Sequence, residues 1–189
     1  MEWNIPGTAL RMTLGQSEDF RTQLESVFMM GGVSLGQIVT LTGLEPYQIQ
    51  NWVRRGYLAP PENKRYTLRQ LCRILNINLM KNTLTMESIC SLLSYINGRL
   101  DDERDDLIDD TELYFLFLKC ARKIAEGTRL ETVREEIRNM PAPKLLGSNP
   151  DAAQRIRNVL EIMVTAWRAT VLRQQAEALL EEINKENVS

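Results

Sequence analysis

The segment Pro46–Arg55, PYQIQNWVRR, carries the side chains best suited to reading hydrogen-bonding edges. Placed at 100° per residue, Ile49, Trp52 and Val53 fall on one side of a helix, where they can pack. Opposite them fall Tyr47, Asn51 and Arg54, with Gln48, Gln50 and Arg55 on the flanks. A carboxamide can bond bidentately to adenine, and a guanidinium to guanine or to a phosphate. The outward face holds no Asp or Glu, which an ordinary solvated face usually mixes in. Lys64 and Arg65 add two cations shortly afterwards. These residues predict contact with double-stranded DNA: Tyr47, Asn51 and Arg54 at bases, Arg55, Lys64 and Arg65 at phosphates, and Gln48 and Gln50 beside them. A plain exposed surface is the competing reading.

The elements that must position this helix can be traced through Val33–Tyr66. Ser34 is a good N-cap for a first helix running to about Leu41, with Leu35, Ile38 and Val39 inward. Thr42-Gly43-Leu44 then turns: Gly43 supplies a positive φ and Leu44 plugs the gap between helices. Pro46 suits the first position of the second helix, and Gly56 its C-terminal stop. Pro60 and Pro61 stiffen the following loop, Glu62-Asn63 can turn, and Lys64-Arg65 project at its exit. Thr67 caps a third helix with Leu68, Leu71, Cys72, Leu75 and Leu79 inward and Arg69 and Arg73 outward. Thr85 caps a fourth, which Gly98 closes.

Charge separates along the chain although the total is only −2. Residues 33–82 carry seven Lys/Arg against two Asp/Glu, a balance of +5; residues 83–126 carry five against ten, a balance of −5. A polyanion is drawn to the first block and repelled by the second. There is no histidine, no phosphate-cradling glycine loop and no metal-ligand cluster, so the sequence argues against an enzyme, a cofactor and a metal site. Cys72, Cys90 and Cys120 stand singly within helical patterns and read as small core residues. No apolar run approaches the roughly 20 residues of a membrane span, and the N-terminus lacks a secretory pattern; the expectation is a cytoplasmic protein with no membrane partner.

The order of these pieces resembles the DNA-binding module of MerR-type regulators, through VSLGQIVTLTGL, PYQIQNWVRRGYL, KRYT and LTMESICSLL. Residues about 20–118 also resemble an uncharacterised bacterial domain family with a MerR-like core, through TGL..YQIQNWVRRGYL, PP..KRYT, RILNINLMK and LLSYINGRL..D. The resemblance implies a winged helix-turn-helix and DNA binding. Where MerR regulators usually carry Arg-Tyr-Tyr in the recognition helix, this chain has Gln50-Asn51-Trp52, so base contacts do not transfer.

The rest of the chain reads as support. Residues 1–16 lack a period and predict an irregular arm, followed by a helix from Ser17 with Phe20, Leu24, Val27 and Phe28 on one face. Asp101, Glu103, Asp105, Asp109 and Glu112 fall on calcium-loop positions, but Asp106 stands where that loop needs glycine; a solvated acidic connector is expected instead. Leu113–Leu118 is apolar on every face, predicting a helix buried on several sides. Thr128-Arg129-Leu130-Glu131 is a capping box for a short helix ending before Pro141. Beyond a linker, Asp151 to about Asn184 predicts one long helix with two seams. Ile156, Leu160, Met163, Trp167 and Val171 form the first; Leu172, Ala176, Leu179 and Ile183 form the second.

The organisation expected is an arm and helix over 1–32, a MerR-like winged helix-turn-helix over 33–98, and a helical extension over 99–140. A linker over 141–150 and a long helix over 151–189 complete it. The fold class is mainly α, the winged helix-turn-helix followed by a helical C-terminal region. The function expected is sequence-specific DNA binding by a bacterial transcriptional regulator, homodimeric through its C-terminal helix. A helical protein-interaction adaptor is the alternative. A small-molecule effector is compatible with the sequence but not indicated by it.

Overall fold

Eight helices and two small two-stranded sheets make up the regular structure of the residues described in the computed structural model: 2–16, 19–98, 106–141 and 150–186. In chain order these are β1 (Glu2–Asn4), β2 (Arg11–Thr13), α1 (Phe20–Phe28), β3 (Val33–Ser34), α2 (Leu35–Thr42) and α3 (Pro46–Arg54). There follow β4 (Arg65–Tyr66), α4 (Leu68–Met80), α5 (Met86–Asn97), α6 (Asp110–Ala125), α7 (Leu130–Arg138) and α8 (Pro150–Glu186). The mainly helical class is as the apolar periodicity implied.

The N-terminal arm is not irregular. β1 and β2 pair antiparallel with Trp3 opposite Met12, and Trp3 and Ile5 are buried. Strands of three residues are too short to register as an alternating pattern. Ser17 and Glu18 lie outside the described residues. α1 starts at Phe20; Phe20 and Leu24 are buried, whereas Val27 faces solvent.

α4 is the central element. Leu71, Cys72, Ile74, Leu75, Ile77, Leu79 and Met80 are buried, and α1, α2, α5, α6 and α8 all pack on it. This overturns the outward placement of Arg73, which is buried with Nη1 3.5 Å from Asp110 Oδ1. The face that an isolated α4 would show to water is covered by α6. Asn76 Nδ2 donates to the Asp110 carbonyl at 3.2 Å and to its carboxylate at 3.4 Å. Burial pushes the Asp110 carboxyl above the usual range, with Arg73 and Arg69 opposing.

The described part of the acidic segment is correspondingly anchored rather than solvated. Asp106 pairs with Arg69, and Glu112 with Arg21. Asp109 Oδ1 caps α6, accepting from the Thr111 and Glu112 backbone N–H groups at 2.6 and 3.0 Å. Of the calcium-loop positions, Asp101, Glu103 and Asp105 lie outside the described residues. The apolar run forms the core as expected, with Leu113, Tyr114, Phe115, Phe117 and Leu118 buried and the Phe117 and Trp167 rings edge-on at 6.0 Å. Thr128 does not cap α7. Its N–H closes the end of α6 on Lys123 O at 2.9 Å, and Arg129 takes the capping position without a side-chain bond.

α8 spans roughly 55 Å at 1.5 Å per residue. Of its first seam, Ile156, Leu160, Met163 and Trp167 are buried and Val171 is half-buried, and the helix packs on α4, α5, α6 and α7. From Leu172 to Lys185 every residue is exposed. α7 is tied to α8 by Arg134 and Arg138, whose Nε atoms donate to Glu161 at 2.8 and 3.2 Å. The Arg138 guanidinium holds the Glu161 carboxyl below the usual range, assisted by Arg134 and opposed by burial.

A folded-state value below the unfolded one, about 4.3, makes this contribution present above that pH and lost as pH falls through the lower value. The stability difference between the parent and Glu161→Gln should therefore be fully developed above about pH 5 and vanish in strong acid. Urea midpoints of both proteins across pH check this. A difference that persists undiminished in acid would show that Glu161 acts through packing.

Candidate functional site

α2, the turn and α3 are fixed by caps and by one buried plug. Ser34 and Gln37 cap each other, the Ser34 N–H donating to Gln37 Oε1 at 2.9 Å and the Gln37 N–H to Ser34 Oγ at 3.4 Å. Gly43 adopts φ 68°, and Leu44 behind it is buried. Pro46 opens α3. Ile49 and Trp52 are buried beneath it, so the orientation of α3 follows from its own apolar stripe.

The opposite face is open, and its side chains are unequally free. Tyr47 is 68% exposed, and Gln50 and Arg54 are exposed. Asn51 is half-buried, and its Oδ1 accepts from Arg54 Nη2 at 2.9 Å, which pre-aligns the guanidinium. Gln48 is half-buried and engaged at the helix start, its Oε1 accepting from the Glu45 N–H at 3.0 Å. Arg55 lies 3.7 Å from Glu87 of α5 and over the Tyr57 ring at 5.1 Å. The α3 face itself contains no carboxylate, but Glu87 meets one of its edges.

The loop after α3 ends in a tight turn one residue later than its composition implied. The Arg65 N–H donates to Glu62 O at 2.8 Å, and Asn63 and Lys64 take φ 48° and 62°. Two successive left-handed residues match the strand twist at such a turn. β4 then pairs with β3, Val33 opposite Tyr66. Gly32 is required there, because a Cβ would lie 2.6 Å from Tyr66 O. Arg65 Nη1 donates to Gly32 O at 3.0 Å, so Arg65 braces the sheet while Lys64 stands exposed at the turn.

Two contributors escaped the sequence reading. Glu87 gave no signal, because its encounter with Arg55 depends on how α5 docks. Gly32 is marked in the sequence only by the Gly31-Gly32 pair, which signals a chain break after α1 and nothing about β4.

Residues 33–117 match the family model described as a domain of unknown function (DUF1836). The match runs from β3 into α6 and contains the whole α2–β4 unit. The chain is also 31% identical over 86 residues to the uncharacterized protein YkrK of Bacillus subtilis (strain 168), a match covering 43% of this chain and 37% of that relative. The chain thus spans well under half the length of the curated relative it matches. No solved structure matches.

Among the described residues, no group of three or more His, Cys, Asp or Glu could hold a metal, and no helix is long and apolar enough to cross a membrane. Cys72 is buried, while Cys90 and Cys120 are half-buried. Burial pushes all three thiols up, Cys120 to about 11, which suppresses the reactive thiolate.

Proposed function

We propose that this chain is a sequence-specific double-stranded DNA-binding protein, a cytoplasmic bacterial transcriptional regulator built on a MerR-like winged helix-turn-helix. The observation that carries this reading is the division of α3. Ile49 and Trp52 are buried on one side; Tyr47, Gln50 and Arg54 stand exposed on the other with no acid among them. α3 enters the major groove, and the Glu62–Arg65 turn meets the backbone as the wing. Tyr47, Asn51 and Arg54 read bases; Lys64 is the principal phosphate contact. Gln48 and Arg65 act through the scaffold, by capping α3 and bracing β4. Unbiased selection from random duplexes, followed by titration of the recovered site, tests the reading. Affinity no greater than for random duplex at equal salt would remove it.

Replacing Lys64 separates its backbone role from its charge. A left-handed lysine carries strain of about 1 kcal/mol that glycine relieves, against the greater unfolded-state freedom of glycine. Lys64→Gly should hold its melting temperature within a few degrees while the salt slope of DNA binding falls by about one. An unchanged slope in a folded variant would take Lys64 out of the interface.

The homodimer is proposed through the free half of α8. Leu172, Leu179, Leu180 and Ile183 are between 52% and 61% exposed, with nothing packed over them among the described residues. A dimer placing two α3 helices on one duplex would read an inverted repeat. Light scattering should give twice the chain mass for the parent and one chain mass for Leu179→Asp combined with Ile183→Asp. A monomeric parent at working concentration would end the dimer assignment.

A further inference from the structure

A cleft of about 780 Å³ lies between the N-terminal hairpin and the middle of α8, away from α3 and the wing. Its volume is within the range of roughly 300–1,000 Å³ typical of small-molecule sites. Trp3, Arg11, Asn82, Trp167, Arg168 and Gln174 are among its lining residues, combining two indoles, two guanidinium groups and two amides. Glu2 is the only acidic residue along it.

Arg168 is exceptional on its own helix. Of the four α8 arginines, Arg155 and Arg173 pair with Asp151 and Glu177, and Arg157 donates to the Met140 carbonyl at 2.9 Å. The Arg168 side chain is half-buried and, among the described residues, makes neither hydrogen bond nor ion pair. A partly desolvated guanidinium with open donors favours a carboxylate, which it can bind through two parallel bonds. Trp3 and Trp167 are buried, 8% and 9% exposed, and so shape the cleft wall without offering it open ring faces.

The cleft wall is pre-formed. The Gly7 carbonyl accepts from Asn78 Nδ2 at 2.8 Å, the Ala9 N–H donates to Leu41 O at 2.9 Å, and Tyr114 Oη donates to Pro6 O at 2.8 Å. A wall fixed at three points reduces the ordering cost of binding.

We infer that this cleft is a binding site for a small organic carboxylate, held by Arg168 within a wall that Trp3 and Trp167 help to form. The assignment is independent of DNA binding. Calorimetric titration of the full chain with benzoate and with its neutral isostere benzamide tests it. Benzoate should bind saturably, benzamide roughly ten-fold or more weakly, and Arg168→Gln should lose roughly ten-fold or more of the benzoate affinity while keeping the parent melting curve. The benzoate–benzamide comparison uses only the native chain and stands if the variant fails to fold. No saturable benzoate binding, equal binding of benzamide, undiminished binding by folded Arg168→Gln, or inorganic phosphate binding as tightly as benzoate would each overturn the assignment.

Discussion

Asp110→Ala should destabilise the fold by about 3–5 kcal/mol, the usual consequence of leaving one partner of a buried ion pair uncompensated. Asp110 and Arg73 are 3% and 6% exposed at their side chains, between α4 and α6. Removing the carboxylate strands the guanidinium where water does not reach, and Asn76 loses one of its acceptors. Among the described residues Arg73 Nε is already buried without a hydrogen-bond partner, so the guanidinium is under-satisfied before the carboxylate is removed. The pair as a whole contributes far less than its disruption costs. Burial outweighs the neighbouring arginines at Asp110, so desolvation offsets most of the attraction. Arg73→Met combined with Asp110→Leu should therefore fall within about 1–2 kcal/mol of the parent. Urea unfolding of the two single variants and the double variant measures this. A loss below about 1 kcal/mol for Asp110→Ala would mean that water or backbone relaxation reaches Arg73.

The second large effect concerns recognition. Arg54→Ala should weaken binding to a selected DNA site by about 1–3 kcal/mol, roughly five- to 150-fold, and relax preference at one base position. Asn51→Ala should cost nearly as much, because the Asn51 carboxamide holds the Arg54 guanidinium in place at 2.9 Å. Residues joined in this way are not additive, so the double variant should lose little more than the worse single one. The measurement is affinity for the selected duplex and for single-base variants of it at one salt concentration. A loss spread evenly over all duplexes would move Arg54 from base reading to phosphate contact. Full additivity would separate Asn51 from Arg54.

The local elements were legible because their signals are local. Ser34, Gly43, Pro46, Thr67 and Thr85 act on backbone groups within four residues, and each occupies the turn or cap its chemistry implies. Ile49 and Trp52 marked the buried side of α3 by spacing alone. The candidate site was legible to the same depth: its exposed face could be named, but not which members were already engaged. Gln48 and Arg65 look like equal candidates in sequence and prove to be bonded to the Glu45 N–H and the Gly32 carbonyl.

Placements that depended on distant partners were misread. Arg73 follows an outward helical position, yet α6 covers it, and a buried pair separated by 37 residues leaves no periodic trace. The acidic segment looked solvated because composition does not reveal that Arg21, Arg69 and Arg73 await it. For α8, the sequence by itself determined a single long helix with two seams, since period and frame shift are both written in the chain. Only the tertiary structure decided that the first seam fills the core beside α4, α5, α6 and α7 while the second is left open. An apolar stripe states that a surface needs a partner; which surface supplies it depends on how the other helices assemble.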